Sequence, residues 1–426
     1  MKKSSPLAWW TWSLAVLFLF YEFFVRVFPS IMVKDLMAAF SVTAGTLGTL
    51  SAFFFYAYAP MQIPVGLLMD RFGARRLLTF AALFCGIGSF LFGTALHLAA
   101  AEFGRFLMGI GSAFAFVGMV YVCSHWFPPK KLALLVGIGN SVGMLGAVGA
   151  EGPLSFAVES FGWRWTVNAF GFIGIALALI LFLFIRKEPK SSKEQKRKET
   201  SADLGENLKI VCSNYRTWLN GIIALLFYMT TAAFASLWGI PFLVESYQIS
   251  KDLAGFIVSM IFVGWIIGGP IIGVISDRCN KRKPFLYAST LLTCLCILPV
   301  IYLSGLPTWL LFVLLLLVGF FQSAQLLNFS LAIELNPIKA KGTSIALTNF
   351  LVAFGSSVMQ PLLGFLLDLG WDGKVREGIP VYSLEDYHMA MMSFPVTLAL
   401  SFILLLFLKE DKKIDQETFA EIIGRD

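Results

Sequence analysis

Five ionisable residues stand in stretches that are otherwise apolar: Glu22, Arg26, Glu102, Arg105 and Glu151. Charge in such surroundings needs a reason, because an ionised side chain at bilayer depth costs about 2.5–3.5 kcal/mol on insertion scales. Glu22 and Arg26 are four residues apart, so a helix places them on one face within reach of each other. A mutual ion pair lowers the cost of both. Arg26 could receive a carboxylate or phosphate through its planar fork, and Glu22 could carry a proton. The competing reading is a structural pair near the outer interface, since Pro29 and Lys34 follow closely. Glu102 and Arg105, at an offset of three, also suit an ion pair. Glu151, in Gly149-Ala150-Glu151-Gly152-Pro153, is either a second proton-coupling carboxylate or a residue of the outer rim.

Neutral groups would supply selectivity. Tyr56, Tyr58, Tyr121 and Asn140 serve the first half of the chain; Tyr228, Trp238, Trp265, Gln322, Gln325, Asn328, Asn349 and Gln360 serve the second. Many of these must instead be interhelical hydrogen bonds or interface aromatics. Gln322 and Gln325 share a face at an offset of three. His97, His125 and His388 fall at span ends, which argues against a histidine proton relay.

The elements that position these residues follow from composition. Of 426 residues, 58% are hydrophobic and only 14% charged, where soluble domains carry about 25% charged residues. A soluble enzyme, a disordered chain and a nucleic-acid-binding protein are excluded. Apolar runs predict twelve membrane helices near 8–32, 43–69, 77–97, 99–122, 131–156, 165–185, 214–240, 252–275, 285–304, 308–332, 341–367 and 389–408. With the N-terminus inside, 25 Lys and Arg fall in inner segments against five in outer ones, which fits cytoplasmic N- and C-termini and makes sense of the net charge of +7. The first apolar run is expected to be a retained helix rather than a signal peptide. The six cysteines are expected to be small buried residues rather than a disulfide framework. The expected domains are a six-helix bundle over 1–185, a basic cytoplasmic linker over 186–213, a second bundle over 214–410 and a tail over 411–426.

The halves repeat. Gly66-Leu-Leu-Met-Asp70-Arg71-Phe-Gly-Ala-Arg75-Arg76 follows the second predicted helix, and Gly273-Val-Ile-Ser-Asp277-Arg278-Cys-Asn-Lys281-Arg282-Lys283 follows the eighth. Asp70 and Asp277 are offset by 207 residues, and Asn140 and Asn349 by 209. One register across unrelated motifs indicates a duplicated six-helix unit, as in transporters built from parallel repeats. Gly66 is expected to let the second and eleventh helices approach closely, and Asp70 to pair with Arg71, Arg75 or a helix N-terminus, where a carboxylate meets the positive dipole end.

These loops resemble the signature between helices 2 and 3 of the major facilitator superfamily, and Arg105-Phe-Leu-Met-Gly109-Ile-Gly111 resembles that superfamily's second motif. Tyr21-Glu22-Phe-Phe-Val-Arg26-Val-Phe-Pro29-Ser30, with Phe54-Phe-Tyr56-Ala-Tyr58-Ala-Pro60-Met-Gln62-Ile-Pro64-Val-Gly66, is similar to a proteobacterial uptake group related to intraphagosomal amino-acid and nucleoside transporters. The resemblance implies an all-α membrane protein of twelve helices in two pseudo-symmetric bundles. It also implies a conformational latch at Gly66, Asp70, Arg71, Arg75, Gly273, Asp277 and Arg278, and a proton-coupling role for Arg105. The antiporter glycine–proline signature of helix 5 is not matched, which favours uptake over drug–proton exchange.

The expected function is proton-coupled import of a small polar metabolite (amino acid, nucleoside or organic anion) across the inner membrane. Substrate would meet Arg26, Tyr56, Tyr121, Asn140, Tyr228, Trp238, Gln322, Gln325 and Asn349, with Glu22, Arg105 and Glu151 coupling protons. The partners are a small molecule, protons and the lipid bilayer; the chain would act as a monomer, without metal, cofactor or nucleic acid. No phosphate-binding loop occurs, so ATP is not the direct energy source. A facilitator or exporter of a siderophore, sugar or phosphate ester is the alternative, and a non-transporting membrane sensor a more distant one.

Overall fold

A computed structural model describes residues 6–185, 204–376 and 378–410. Twelve helices in it are long and apolar enough to cross a membrane: α1 Pro6–Phe40, α2 Ala44–Phe72, α3 Ala74–Thr94, α4 Leu98–Trp126, α5 Leu134–Phe161, α6 Trp163–Phe184, α7 Tyr215–Tyr247, α8 Lys251–Cys279, α9 Lys283–Tyr302, α10 Thr308–Glu334, α11 Lys341–Gly370 and α12 Leu384–Phe407. Each matches one predicted run, and most extend several residues beyond it, because a helix continues past the hydrocarbon edge. The basic stretch 186–203 and the tail 411–426 lie outside the described residues. The remainder of the expected linker holds a helix, Leu204–Ser213, which packs on the start of α11. All six cysteines are free.

Two spans are irregular where the site lies. The regular part of α1 ends at Val27 and passes through a tight turn, Phe28–Met32, before resuming at Val33. Pro29 forces the change, because it has no N–H to continue the ladder. In α7 the stretch Thr230–Trp238 is π-helical, which places one extra residue per turn and rotates the following side chains.

Within the first half α3 packs on α4 and α6; α2 against α11 and α5 against α8 join the halves. Membrane helices gain little from hydrophobic contact with each other, so small residues that admit close backbone approach hold such seams. At one end the seams are tight. A Cβ on Gly48 would collide with the Gln360 carbonyl, one on Gly364 with the Ala44 carbonyl, and one on Gly255 with the Glu151 carbonyl. Hydrogen bonds reinforce this end. Asp368 of α11 accepts from Thr43 Oγ1 at 2.7 Å, from the Gly45 and Ala44 amides at 2.9 and 3.2 Å, and from Tyr382 Oη at 2.5 Å. Its carboxylate therefore caps the N-terminus of α2 across the seam. Burial and that carboxylate push the Tyr382 phenol well above its ordinary range, so it remains a donor. Ser155 donates to Asp252 at 2.5 Å and Lys251 pairs with Asp35 at 3.3 Å.

The other end carries the Asp70 and Asp277 loops and most of the basic residues; it is called the basic face below. Here a Cβ on Gly66 or Gly273 would meet nothing within 4 Å. The close approach of α2 and α11 expected at Gly66 is thus not made in this conformation; it occurs at Gly48 and Gly364, at the far end of the same pair.

Leucine in place of Gly364 should prop the tight end open. Spin labels at Ser41 and Asp372 would then give a longer mean separation by double electron–electron resonance, in protein that still elutes as a monodisperse peak. An unchanged distance distribution in the G364L variant would show that glycine contact does not set this closure.

Candidate functional site

A cavity of about 890 Å³ lies between the halves, and its walls run from Glu22 and Arg26 deep in α1 to Asp70, Asn207 and Lys339 at the basic face. Glu22 and Arg26 are the charged groups at its deep end. Arg26 donates to Glu22 Oε1 through Nε at 2.9 Å and through a terminal nitrogen at 2.6 Å. Glutamate preceding arginine by four residues is the favourable orientation on a helix. Arg26 also occupies the last turn before the Pro29 break, where the negative end of the helix dipole favours a cation. Phe23 and Tyr58 present ring faces at 4.9 and 4.8 Å from its guanidinium. The Arg26 side chain keeps 14% of its surface exposed, and Glu22 1%. Glu22 Oε2 has no partner.

Arg105 explains how Arg26 is held. It is fully buried and donates to the carbonyls of Val25 at 2.7 Å, Arg26 at 3.3 Å and Ser51 at 3.3 Å. Two of these are last-turn carbonyls that the break in α1 leaves without helical partners. The Phe54 ring lies between the two guanidinium groups, 4.8 Å from Arg105 and 5.8 Å from Arg26. The ion pair considered with Glu102 is not made.

The second half supplies a neutral wall. Tyr228, Trp265, Gln325, Asn349 and Ser356 line the cavity opposite Tyr58, Gln62 and Asn140. Tyr228 and Trp265 pack edge to face at 5.7 Å, and Trp265 donates to Thr231 at 3.0 Å. Asn349 donates to Gln62 at 2.7 Å, joining the halves across the cavity. Gln325 is 3% exposed and its Nε2 has no hydrogen-bond partner.

Several sequence expectations are corrected here. Tyr56 is 40% exposed on the outer surface of the bundle; Tyr58, a little over half a turn on, faces the cavity. Tyr121 stacks on His125 at 4.0 Å, outside the cavity wall. Trp238 is buried and donates to the Gln360 carbonyl at 3.1 Å, a structural bond within the second half. Gln322 accepts from Thr231 and donates to the Phe227 carbonyl at 2.7 Å, so its amide is already spent. Glu151 is fully buried rather than on an exposed rim, 3.1 Å from Ser30 Oγ and against the α8 seam, outside the cavity. Asn140, Tyr228, Gln325 and Asn349 do line the cavity.

The latch residues also differ in detail. Asp277 pairs at 2.5 Å with Arg282, which is buried, reaches Glu334 at 3.5 Å and donates to Ser276 at 3.0 Å. Arg282 rather than Arg278 therefore centres this network. Arg75 donates to the Phe182 carbonyl at 2.8 Å and lies over the Phe182 ring. Gln62, Arg282 and Asp368 were not singled out from sequence. Gln62 had a signal, since it follows Tyr58 by one helical turn.

A two-half bundle of twelve membrane helices around a largely apolar cavity with a buried ion pair in its wall is the architecture of a membrane transporter. The Major Facilitator Superfamily model matches residues 13–241 and 221–423, and the chain belongs to that family. It is similar to the probable galactarate/D-glucarate transporter GudP of Bacillus subtilis, 25% identical over 358 residues, 76% of this chain and 77% of that protein. It is also similar to the probable hexose phosphate transport protein of Chlamydia pneumoniae, 22% identical over 393 residues, covering 85% of this chain and 86% of that protein. In fold it matches a bacterial homologue of the human lysosomal transporter Spinster in an inward-facing, occupied conformation. That match has a TM-score of 0.74 at 17% identity and covers 95% of this chain and 97% of the other. The chain is thus a multi-pass transporter, not an enzyme.

Removing the Arg105 side chain orphans buried carbonyls, at about 1–3 kcal/mol for each group left unsatisfied. Arg105→Leu should lower the melting temperature in detergent by several degrees, whereas Glu102→Ala should leave it within error. Equal melting temperatures for the two variants would remove Arg105 from its capping role.

Proposed function

We propose that this transporter imports a small organic anion together with a proton, with the basic face in the cytoplasm of the inner membrane. The observation that carries the reading is the Glu22–Arg26 pair in the wall of the cavity between the halves. An anion that takes the Nε–Nη2 edge of Arg26 displaces Glu22, and the displaced carboxylate is then best accommodated by taking a proton. Loading of the anion and of the proton are thereby linked at adjacent atoms. Arg105 serves as the positioning residue for the end of α1. The relatives' named cargoes, galactarate, D-glucarate and hexose phosphate, are anions, in keeping with a cationic anchor; each can carry two negative charges, so they support the sign of the cargo's charge and not its number.

Glu151 is the second coupling group in this reading. Ser30 Oγ lies 2.8 Å from the Val27 carbonyl and 3.1 Å from Glu151. A hydroxyl has one hydrogen, and a carbonyl can only accept. That single hydrogen is shared between Val27 and Glu151, and Glu151 Oε2 has no hydrogen-bond partner, so the buried carboxyl group is best accommodated with a proton. The side chain sits at the α5–α8 seam, so opening that end would expose it to water. The Asp70 and Asp277 loops would form the matching seal at the basic face in the alternate state, with the two halves rocking about the central cavity.

A thermal-shift screen of organic acids, sugar phosphates, amino acids and nucleosides identifies stabilising ligands, and counterflow in proteoliposomes then tests them. Arg26→Ala should abolish uptake of the anion. Glu22→Gln should retain counterflow but lose accumulation driven by an inward proton gradient, because glutamine mimics the protonated side chain permanently. If both variants accumulate substrate with wild-type pH dependence, the anchor and coupling roles are both wrong.

A further inference from the structure

We infer that the cargo is a monocarboxylate bearing a neutral hydrogen-bonding group, and that diacids and phosphate dianions are rejected. The inference rests on the anion reading above and narrows its substrate class. Among the described residues the carboxylates, lysines and arginines lining the cavity are Glu22, Arg26, Asp70 and Lys339. Lys339 lies at the basic-face mouth, 2.7 Å from Glu206. Arg26 is therefore the single cation lining the deep end, where Glu22 balances it; the buried Arg105 lies behind Phe54, outside the cavity wall, with its donors on backbone carbonyls.

The duplication does not provide a second one. Offsets of 207–209 place the counterparts of Arg26 at Ala233–Ala235 and those of Glu22 at Met229–Thr231. The second half thus faces Arg26 with neutral groups. One of them is left wanting a partner: Gln325 Nε2 is buried, unbonded and in the cavity wall. A buried amide donor without an acceptor costs free energy, and a hydroxyl or carbonyl oxygen of the cargo would satisfy it. Tyr228 and Trp265 line the same cavity.

Charge balance then fixes the stoichiometry. When one carboxylate takes the place of Glu22 on Arg26 and Glu22 gains a proton, the net charge of the site is the same loaded as empty. A second negative charge would face an amide and aromatic rings with no cation in the cavity wall to meet it, and a desolvated charge left uncompensated is strongly disfavoured. Transport of one monoanion with one proton moves no net charge.

The test uses acid pairs in which a terminal hydroxymethyl group replaces a second carboxylate: gluconate with glucarate, glycerate with tartronate, and 4-hydroxybutyrate with succinate. Binding is read by thermal shift and counterflow in proteoliposomes containing the full chain. At least one monoacid should bind, with at least about tenfold higher affinity than its diacid partner. Its uptake should respond to a pH gradient but not to a potassium–valinomycin potential. Gln325→Leu should weaken the hydroxy acid about three- to tenfold while leaving butanoate unchanged. Diacid binding equal to or tighter than monoacid binding, or uptake driven by the potential, overturns this inference and leaves the anion reading standing. If no carboxylic acid binds but a sugar phosphate does, this inference falls and the anion reading stands; if neither class binds, both fall.

Discussion

A guanidinium among apolar side chains has to be answered by something, and most of the central structure follows from how two of them are answered. Arg26 is met by Glu22 one turn away and by the rings of Phe23 and Tyr58. Arg105 is met by backbone carbonyls that exist as free acceptors only because α1 breaks at Pro29. The break, the carbonyls and the second arginine form one unit: the proline exposes the acceptors, the arginine caps them, and the capped helix end presents Arg26 to the cavity. The same logic explains the economy of charge in the spans, since each additional charge would need an answer of comparable quality.

The two ends of the molecule use different chemistry to control the seam. At the tight end, helices touch backbone to backbone through Gly48, Gly255 and Gly364, and short hydrogen bonds to Asp368 and Asp252 fix the register. At the basic face each half is braced largely within itself, by Asp277–Arg282–Glu334 in one and by Arg75 on α6 in the other. Gly66 lies open on the cavity wall at that face. A glycine with nothing against it serves no packing purpose in this conformation, but it suits a seam that closes when the opposite one opens. The small residues along α2 and α11 thus mark both ends of a rocking contact.

The fold was legible in the sequence because its signals are long-range averages: apolar length, the distribution of Lys and Arg, and the repeat of Asp70 at Asp277. The site was legible only in part, because a side chain's direction depends on local helix phase. Tyr56 and Tyr58 are two residues apart, about 200° around a regular helix, so one faces lipid and the other the cavity; nothing in their identity says which. Gln322 and Gln325 share a face on an ideal helix, but Ser323–Gln325 tightens locally and only Gln325 reaches the cavity. The π-helical stretch of α7 shifts Trp238 into the interior. Glu22 and Arg26 escaped this uncertainty because their mutual need overrides phase: wherever one points, the other follows.

The duplicated scaffold therefore carries an unduplicated site. The repeat preserves what alternating motion requires of both halves, the acidic loop residue and the asparagine of the fifth and eleventh helices. It does not preserve charge at the centre, where the first half contributes an ion pair and the second contributes amides and aromatic rings. A symmetric pair of arginines would hold a dianion firmly but would each need an internal counter-charge when the cavity is empty. A single arginine with its own glutamate avoids that burden: the pair compensates itself when the cavity is empty, and in the proposed coupling a proton restores the balance when cargo displaces the carboxylate. In that reading, asymmetry at the centre lets symmetric halves move while the cavity passes between loaded and empty states without a change in buried charge.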